Sequence, residues 1–158
     1  MRAIIQSSRT FWSLTSAERE IAWAAAAGLT ATWLGLRVFG FRRWKEFVAR
    51  RTKPSAGVRA APRSPEISTK RIAKLEAAVA RNLFFRTNCL EQSLVLWSLL
   101  QRNGFPAELK IGARKDSGRF EAHAWVELDG HALNNENGEH REFVPFDNTA
   151  TAIERHAE

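Results

Sequence analysis

Thr87-Asn88-Cys89-Leu90-Glu91-Gln92-Ser93-Leu94 carries the one cysteine of the chain into what reads as the start of a helix. Asn88 is a good N-cap, and Glu91 stands at the third helical position, where its carboxylate can reach back to the cap. Beyond it, Leu90, Leu94, Val95, Trp97, Leu99 and Leu100 cover most of the helix circumference, which predicts a central buried helix. Gly104 supplies the left-handed residue that ends it. Cys89 therefore falls in the first turn of a buried helix. The amide dipoles of that turn favour negative charge and so favour a thiolate. The competing reading of such a cysteine is an inert core thiol, because Cys buries well.

The residues that follow supply a partner. Ala107, Leu109, Ile111 and Ala113 alternate as a strand, Ser117-Gly118 turns the chain, and Phe120 to Glu127 alternates again. Phe120, Ala122, Ala124 and Val126 form the apolar face of this second strand. His123 lies on the other face with Glu121, Trp125 and Glu127, so the pattern does not make it a core histidine. An imidazole near Cys89 would stabilise a thiolate and later protonate a leaving amine. His131, His140 and His156 lack such a setting. No pair among the four histidines has metal-ligand spacing, so neither a metal nor a cofactor is expected.

A third member depends on strand register. If Leu128-Asp129-Gly130 forms a three-residue hairpin loop, with Gly130 left-handed in a bulge, Glu127 faces His131, Trp125 faces Leu133 and His123 faces Asn135. Opposed residues lie close enough for a side-chain hydrogen bond, and Asn135 could then hold the imidazole in its working tautomer. A two-residue Asp129-Gly130 loop would instead bring Asn134 and Glu136 to the His123 face, which leaves Glu136 as the runner-up. An oxyanion hole would use the Cys89 backbone N–H and a second donor that the sequence does not identify.

Upstream, Thr15 and Glu18 form a capping box for a helix expected from Ser16 to about Val38. Ile21 to Leu36 carries no charge but falls short of the ~20 residues that span a bilayer. A buried or interfacial helix is expected, with Arg37, Arg42, Arg43 and Lys45 suited to an anionic membrane rim. Trp12, Trp23, Trp33 and Trp44 recur close to every third helical turn, which predicts a packing stripe against the main domain. The organisation read from these features is a helical arm over 1–49, a basic Pro-containing linker over 50–65 and a catalytic domain over 66–158. That domain opens with a helix started by Ser64-Pro65 or Ser68 and carrying Ile72, Leu75, Val79 and Leu83. The fold class is α+β, with helices leading into a short antiparallel sheet.

Composition bounds the rest. The chain has 158 residues, 44% of them hydrophobic, and a single Cys, which excludes an internal disulfide. No signal-peptide pattern opens the sequence, so the cytoplasm is the expected compartment. The net charge of +7 divides into +12 over residues 1–86 and −5 over residues 87–158. A basic arm on an acidic domain suggests an anionic partner, although a solvated face that aids solubility explains the charge equally well.

Asn88-Cys89-Leu90-Glu91-Gln92-Ser93-Leu94, Leu99-Leu100-Gln101-Arg102-Asn103-Gly104, Leu109-Lys110-Ile111-Gly112-Ala113-Arg114-Lys115 and Ala122-His123-Ala124-Trp125-Val126-Glu127 together resemble the leader peptidases of lasso-peptide biosynthesis, the B2 proteins. These are a branch of the transglutaminase-like superfamily. The resemblance implies a transglutaminase-like or papain-like cysteine protease core with an N-terminal helical arm, and removal of the leader from a ribosomally made precursor peptide. It implies Cys89 as nucleophile and His123 as base. The family usually has Asp where this chain has Asn135, an exchange that keeps the orienting role but removes a charge that would stabilise the imidazolium. It further implies a separate small leader-recognition (B1-type) protein and an ATP-dependent macrolactam cyclase as partners. Peripheral membrane contact through the basic arm stays open, whereas nucleic acid is not expected. Two other readings stand beside this one: a transglutaminase-like acyl transferase using the same thioacyl intermediate, and a non-catalytic basic binding module.

Overall fold

A computed structural model describes residues 14–52, 67–116, 118–135 and 138–146. Helix α1 spans Ser16–Thr52, α2 spans Thr69–Asn82 and α3 spans Cys89–Arg102. Strands β1 (Glu108–Asp116) and β2 (Arg119–Leu128) form a long hairpin, followed by β3 (His131–Ala132), a 3-10 turn at Glu139–Glu142 and β4 (Val144–Pro145). The sheet is antiparallel in the order β3-β2-β1-β4. Helices and antiparallel sheet together make the α+β architecture expected from the sequence.

Each helix begins where its cap dictates. The Thr15 amide donates to Glu18 Oε2 at 2.8 Å and the Glu18 amide to Thr15 Oγ1 at 3.2 Å, completing a capping box. Glu18 also accepts from Arg71 Nε at 2.6 Å, which ties the start of α1 to α2 and helps hold its carboxyl below the ordinary range, after the larger effect of the Thr15 amide. Ser68 caps α2 by accepting from the Arg71 amide. Ile21, Ala25 and Leu29 of α1, Ile72 and Leu75 of α2, Leu96, Leu99 and Leu100 of α3 and Val126 of β2 share one core. The helix read as part of an arm thus supplies a layer of the domain's own core. By length and composition it could cross a membrane, but these apolar positions face protein.

The helix does not stop near Val38. It breaks at Gly40, whose φ of 74° only glycine adopts without strain, and continues helically to Thr52. The break folds the second segment back, so that Trp44 lies over Gly35 and its indole N–H donates to Thr32 Oγ1 at 3.3 Å. A side chain at Gly35 would collide with that ring. The expected tryptophan stripe does not form. Trp23 is 67% exposed, Trp33 sits under Arg37 with its ring 5.0 Å from that of Phe85, and Trp44 packs on its own helical hairpin. Trp12 and residues 53–65 of the expected linker lie outside the described residues.

The β-hairpin is longer than the domain beneath it. Phe120, assigned to the apolar face, is 80% exposed because the core ends near Ala124. Conversely Trp125, placed on the open face, is 1% exposed, since β4 and the 3-10 turn cover that side. Gly112 permits the covering: a Cβ there would meet the Val144 carbonyl oxygen at 2.7 Å.

Candidate active site

Cys89 is the first residue of α3. Asn88 accepts from the Glu91 amide at 2.9 Å and its own amide donates to Glu91 Oε2 at 3.0 Å, so both halves of the predicted capping box are made. Glu91 is buried, and its other oxygen accepts from Arg37 of α1 at 3.2 Å. The turn that carries Cys89 is thereby clamped to the N-terminal helix. The Cys89 amide is one of the first-turn donors with no carbonyl a turn behind it.

Ser93, one turn further along α3, is fully buried and donates to the Ala124 carbonyl at 2.9 Å. Ala124 is the neighbour of His123. Residues four apart share a helix face, so the face that carries Cys89 is keyed to β2 beside the histidine. The sequence offered no separate signal for this serine.

The loop after β2 completes the arrangement by a route other than the one expected. Leu128 pairs with His131 and Glu127 with Ala132. Asp129 and Gly130 both have positive φ, 50° and 75°. The hairpin is therefore the two-residue form, whose left-handed central residues match the twist of the strands. That register should have carried Asn135 away from His123, but β3 ends after Ala132. The chain bends, and Asn134 turns inward to accept from the Val126 amide and to donate to Ser93 Oγ, both at 2.9 Å. Asn135 then arrives at His123, its Nδ2 3.0 Å from Nε2. Glu136 lies outside the described residues.

This bond bears on the tautomer. With Nδ2 donating, Nε2 is bare and the neutral ring keeps its proton on Nδ1. With the amide turned over, Oδ1 accepts from Nε2–H and Nδ1 is free to take a proton. Only the second arrangement leaves Nδ1 as a base. His123 is partly buried between the Trp125 and Phe143 rings, with centroids at 6.1 and 5.1 Å. That burial lowers its pKa from the ordinary 6.5; Glu139 opposes the shift, while His140 and Arg114 add to it. His140 was set aside in the sequence reading for want of a setting. The 3-10 turn gives it one, against Trp125 with ring centroids 6.0 Å apart. Arg114 lies over Phe143 and pairs with Glu121 and Glu142, which holds the segment against β1.

Among the described residues no group of three His, Cys, Asp or Glu side chains is placed to hold a metal ion. A cleft of about 920 Å³ opens beside the site, with α2 on one side and residues 130–135, Gly138, His140 and Arg141 on the other. Asn135 and Gln92 stand on its wall.

The sequence pattern of the transglutaminase-like superfamily matches residues 21–147, from the first core position of α1 to the residues just after β4. Comparison with curated proteins and with solved structures returns no match.

Proposed function

The chain belongs to the transglutaminase-like superfamily, and from that premise we propose that it is a cysteine peptidase removing the leader from a ribosomally made lasso-peptide precursor before macrolactam closure. Superfamily membership makes cysteine chemistry the reference expectation. The observation that carries the reading is the pairing of Asn135 with His123 Nε2 on a strand keyed through Ser93 to the helix that begins at Cys89. In this scheme the Cys89 thiolate attacks the scissile carbonyl, and the Cys89 amide stabilises the oxyanion. The imidazolium of His123 gives its proton to the leaving amine as the C–N bond breaks. Water, deprotonated by the same ring, then hydrolyses the thioester and releases the leader's carboxylate. Asn135 is the positioning residue, accepting from Nε2–H so that Nδ1 faces the chemistry.

The proposed partners are the precursor, a small leader-recognition protein that presents it, and an ATP-dependent cyclase that uses the freed amine, all in the cytoplasm. Contact with an anionic membrane surface is a further proposal for α1. Phe39, Phe41 and Phe47 are exposed around the Gly40 break, next to Arg42, Arg43 and Lys45. Cosedimentation with anionic but not neutral vesicles would support it, and equal recovery with both would remove it.

The test of the peptidase reading is brief, limiting iodoacetamide treatment read by intact mass. With one cysteine the readout is a single adduct. Labelling that drops sharply in His123→Ala supports the coupled pair. Equal labelling of both proteins would separate the two residues and overturn the assignment. Product mass then distinguishes hydrolysis, which adds water, from acyl transfer, which joins two substrates.

A further inference from the structure

The cleft beside Asn135 has an unusual charge pattern. Lys70, Lys74 and Arg81 project from α2 on one side and Arg141 from the 3-10 turn on the other. All four are exposed, and none pairs with a carboxylate among the described residues. Among the described residues the one acidic side chain in the lining is Glu76, which is 1% exposed and whose Oε1 has no hydrogen-bond partner. An unpartnered buried carboxyl in the wall of an open cleft is a group available to a polar atom of a ligand.

We propose that this cleft seats an acidic stretch of the peptide substrate, its carboxylates on Lys70, Lys74, Arg81 and Arg141 and a neutral polar group of the peptide against Glu76. The proposal deepens the peptidase reading, on which it rests for the position of the scissile bond next to Asn135. Glu76 does not cancel the field, because burial pushes its carboxyl up to about 8 and keeps it protonated at neutral pH. A protonated carboxyl can both donate and accept, which suits a peptide amide. The described lining includes Ala73, Ala77, Ala132 and Leu133 but no Phe or Trp, and its only rings are the small imidazoles of His131 and His140, so it lacks the broad indole or phenyl face on which successive bases stack. A peptide is favoured over nucleic acid on that ground.

The test is equilibrium binding to the full chain carrying Cys89→Ala, so that no cleavage is required and failure of the peptidase reading does not obscure the result. The probes are three short peptides bearing an uncharged dye, alternating glycine with glutamate, glutamine or lysine, followed by fluorescence anisotropy at low salt. The expected result is that the glutamate peptide binds about tenfold or more tighter than either other probe, with affinity falling as salt rises. The pair Lys74→Glu and Arg141→Glu should abolish that preference. The pair Arg42→Glu and Arg43→Glu, which makes the same change in net charge away from the cleft, should leave it intact. Glu76→Gln should bind as the parent does at neutral pH. Equal binding of all three probes, equal loss in both double variants, or displacement of the peptide by a lower concentration of oligouridylate would each overturn the proposal.

Discussion

Replacing Glu76 by glutamine should stabilise the protein relative to the parent by an amount that grows with pH. Burial raises this carboxyl from an ordinary 4.5 to about 8, with Arg81 a smaller opposing influence. Between those two values the folded chain holds a proton that the unfolded chain has released. Unfolding free energy therefore falls by about 1.4 kcal/mol per pH unit across that interval. Below 4.5 the group is neutral in both states and the penalty is absent. Above 8 it is ionised in both and the penalty is constant, on the order of 5 kcal/mol. That is a large share of the ~5–15 kcal/mol that separates a typical folded domain from its unfolded ensemble. Glutamine is neutral throughout, so the pH dependence of the difference isolates the ionisation: the other titrating groups cancel, and whatever the amide itself contributes is a constant offset. Urea denaturation of both proteins from about pH 5 to 9 at fixed ionic strength measures it, with equal m-values as the check that the unfolded states match. The gap should widen steadily to about pH 8 and then level. Parallel stability profiles would mean that Glu76 ionises in the folded state as freely as in the unfolded one, and the neutral wall of the cleft would be refuted.

Asn135→Asp should raise the His123 pKa by about one unit or more, because a carboxylate at hydrogen-bond distance favours the imidazolium; NMR titration of the ring reads it, and an unmoved titration would show that position 135 does not face the imidazole. In the parent the sign is the reverse. Burial depresses the His123 pKa, so stability is lost as the pH falls below the ordinary 6.5, and His123→Gln should remove that loss in acid-unfolding curves. Asn134→Ala strands the Val126 amide and removes a bond to Ser93, which should destabilise by about 1–3 kcal/mol in denaturant melts and slow Cys89 labelling. Cys89→Ser should abolish precursor cleavage, as read by mass spectrometry, while leaving the melting temperature within a few degrees.

The residues that the sequence exposed best were those whose signals are local. The Asn88–Glu91 capping box, the Ser68 cap and the left-handed Gly104 all depend on chemistry within one turn, and all are present. The end of α1 was expected near Val38 because the uncharged run from Ile21 gives out at Leu36, and that signal is the same whether the chain leaves the helix or, as at Gly40, breaks and folds back. The face assignment of β2 failed at both ends for a related reason. Alternation says which residues share a face, not how far the layer beneath extends, so Phe120 was placed inside and Trp125 outside. Asn135 is the most instructive case. It was paired with His123 through a three-residue loop, and it does meet His123, but across a two-residue loop followed by a bend. The bend arises where Asn134 takes over the hydrogen bond that a continuing strand would have made to Val126. Pairing rules extrapolate a ladder and carry no term for the residue at which it stops.

The N-terminal helix reaches the Cys89 turn directly. Charge and composition mark residues 1–49 as an arm, and an arm could be removed without touching the site. Arg37 removes that separation. Its guanidinium bonds Glu91, the acid that closes the cap over Cys89, and it also covers the Trp33 ring at 4.0 Å. Arg37 is 52% exposed, so its loss should destabilise the fold by only about 1 kcal/mol. Its consequence for Cys89 should be larger than that figure suggests. Glu91 is buried, and without Arg37 its carboxylate keeps only the Asn88 amide as partner, so the first turn of α3 loses its outer restraint. Arg37→Ala should therefore slow iodoacetamide labelling and cleavage more than it lowers the melting temperature. Arg37→Lys should restore the melting temperature further than it restores the rate, because a lysine replaces the charge but its ammonium does not reproduce the position of Nη1, which donates to both Glu91 Oε1 and the Trp33 carbonyl. Equal recovery of both by lysine would show that Arg37 acts as a charge alone, and α1 would then bear on Cys89 only through the shared core.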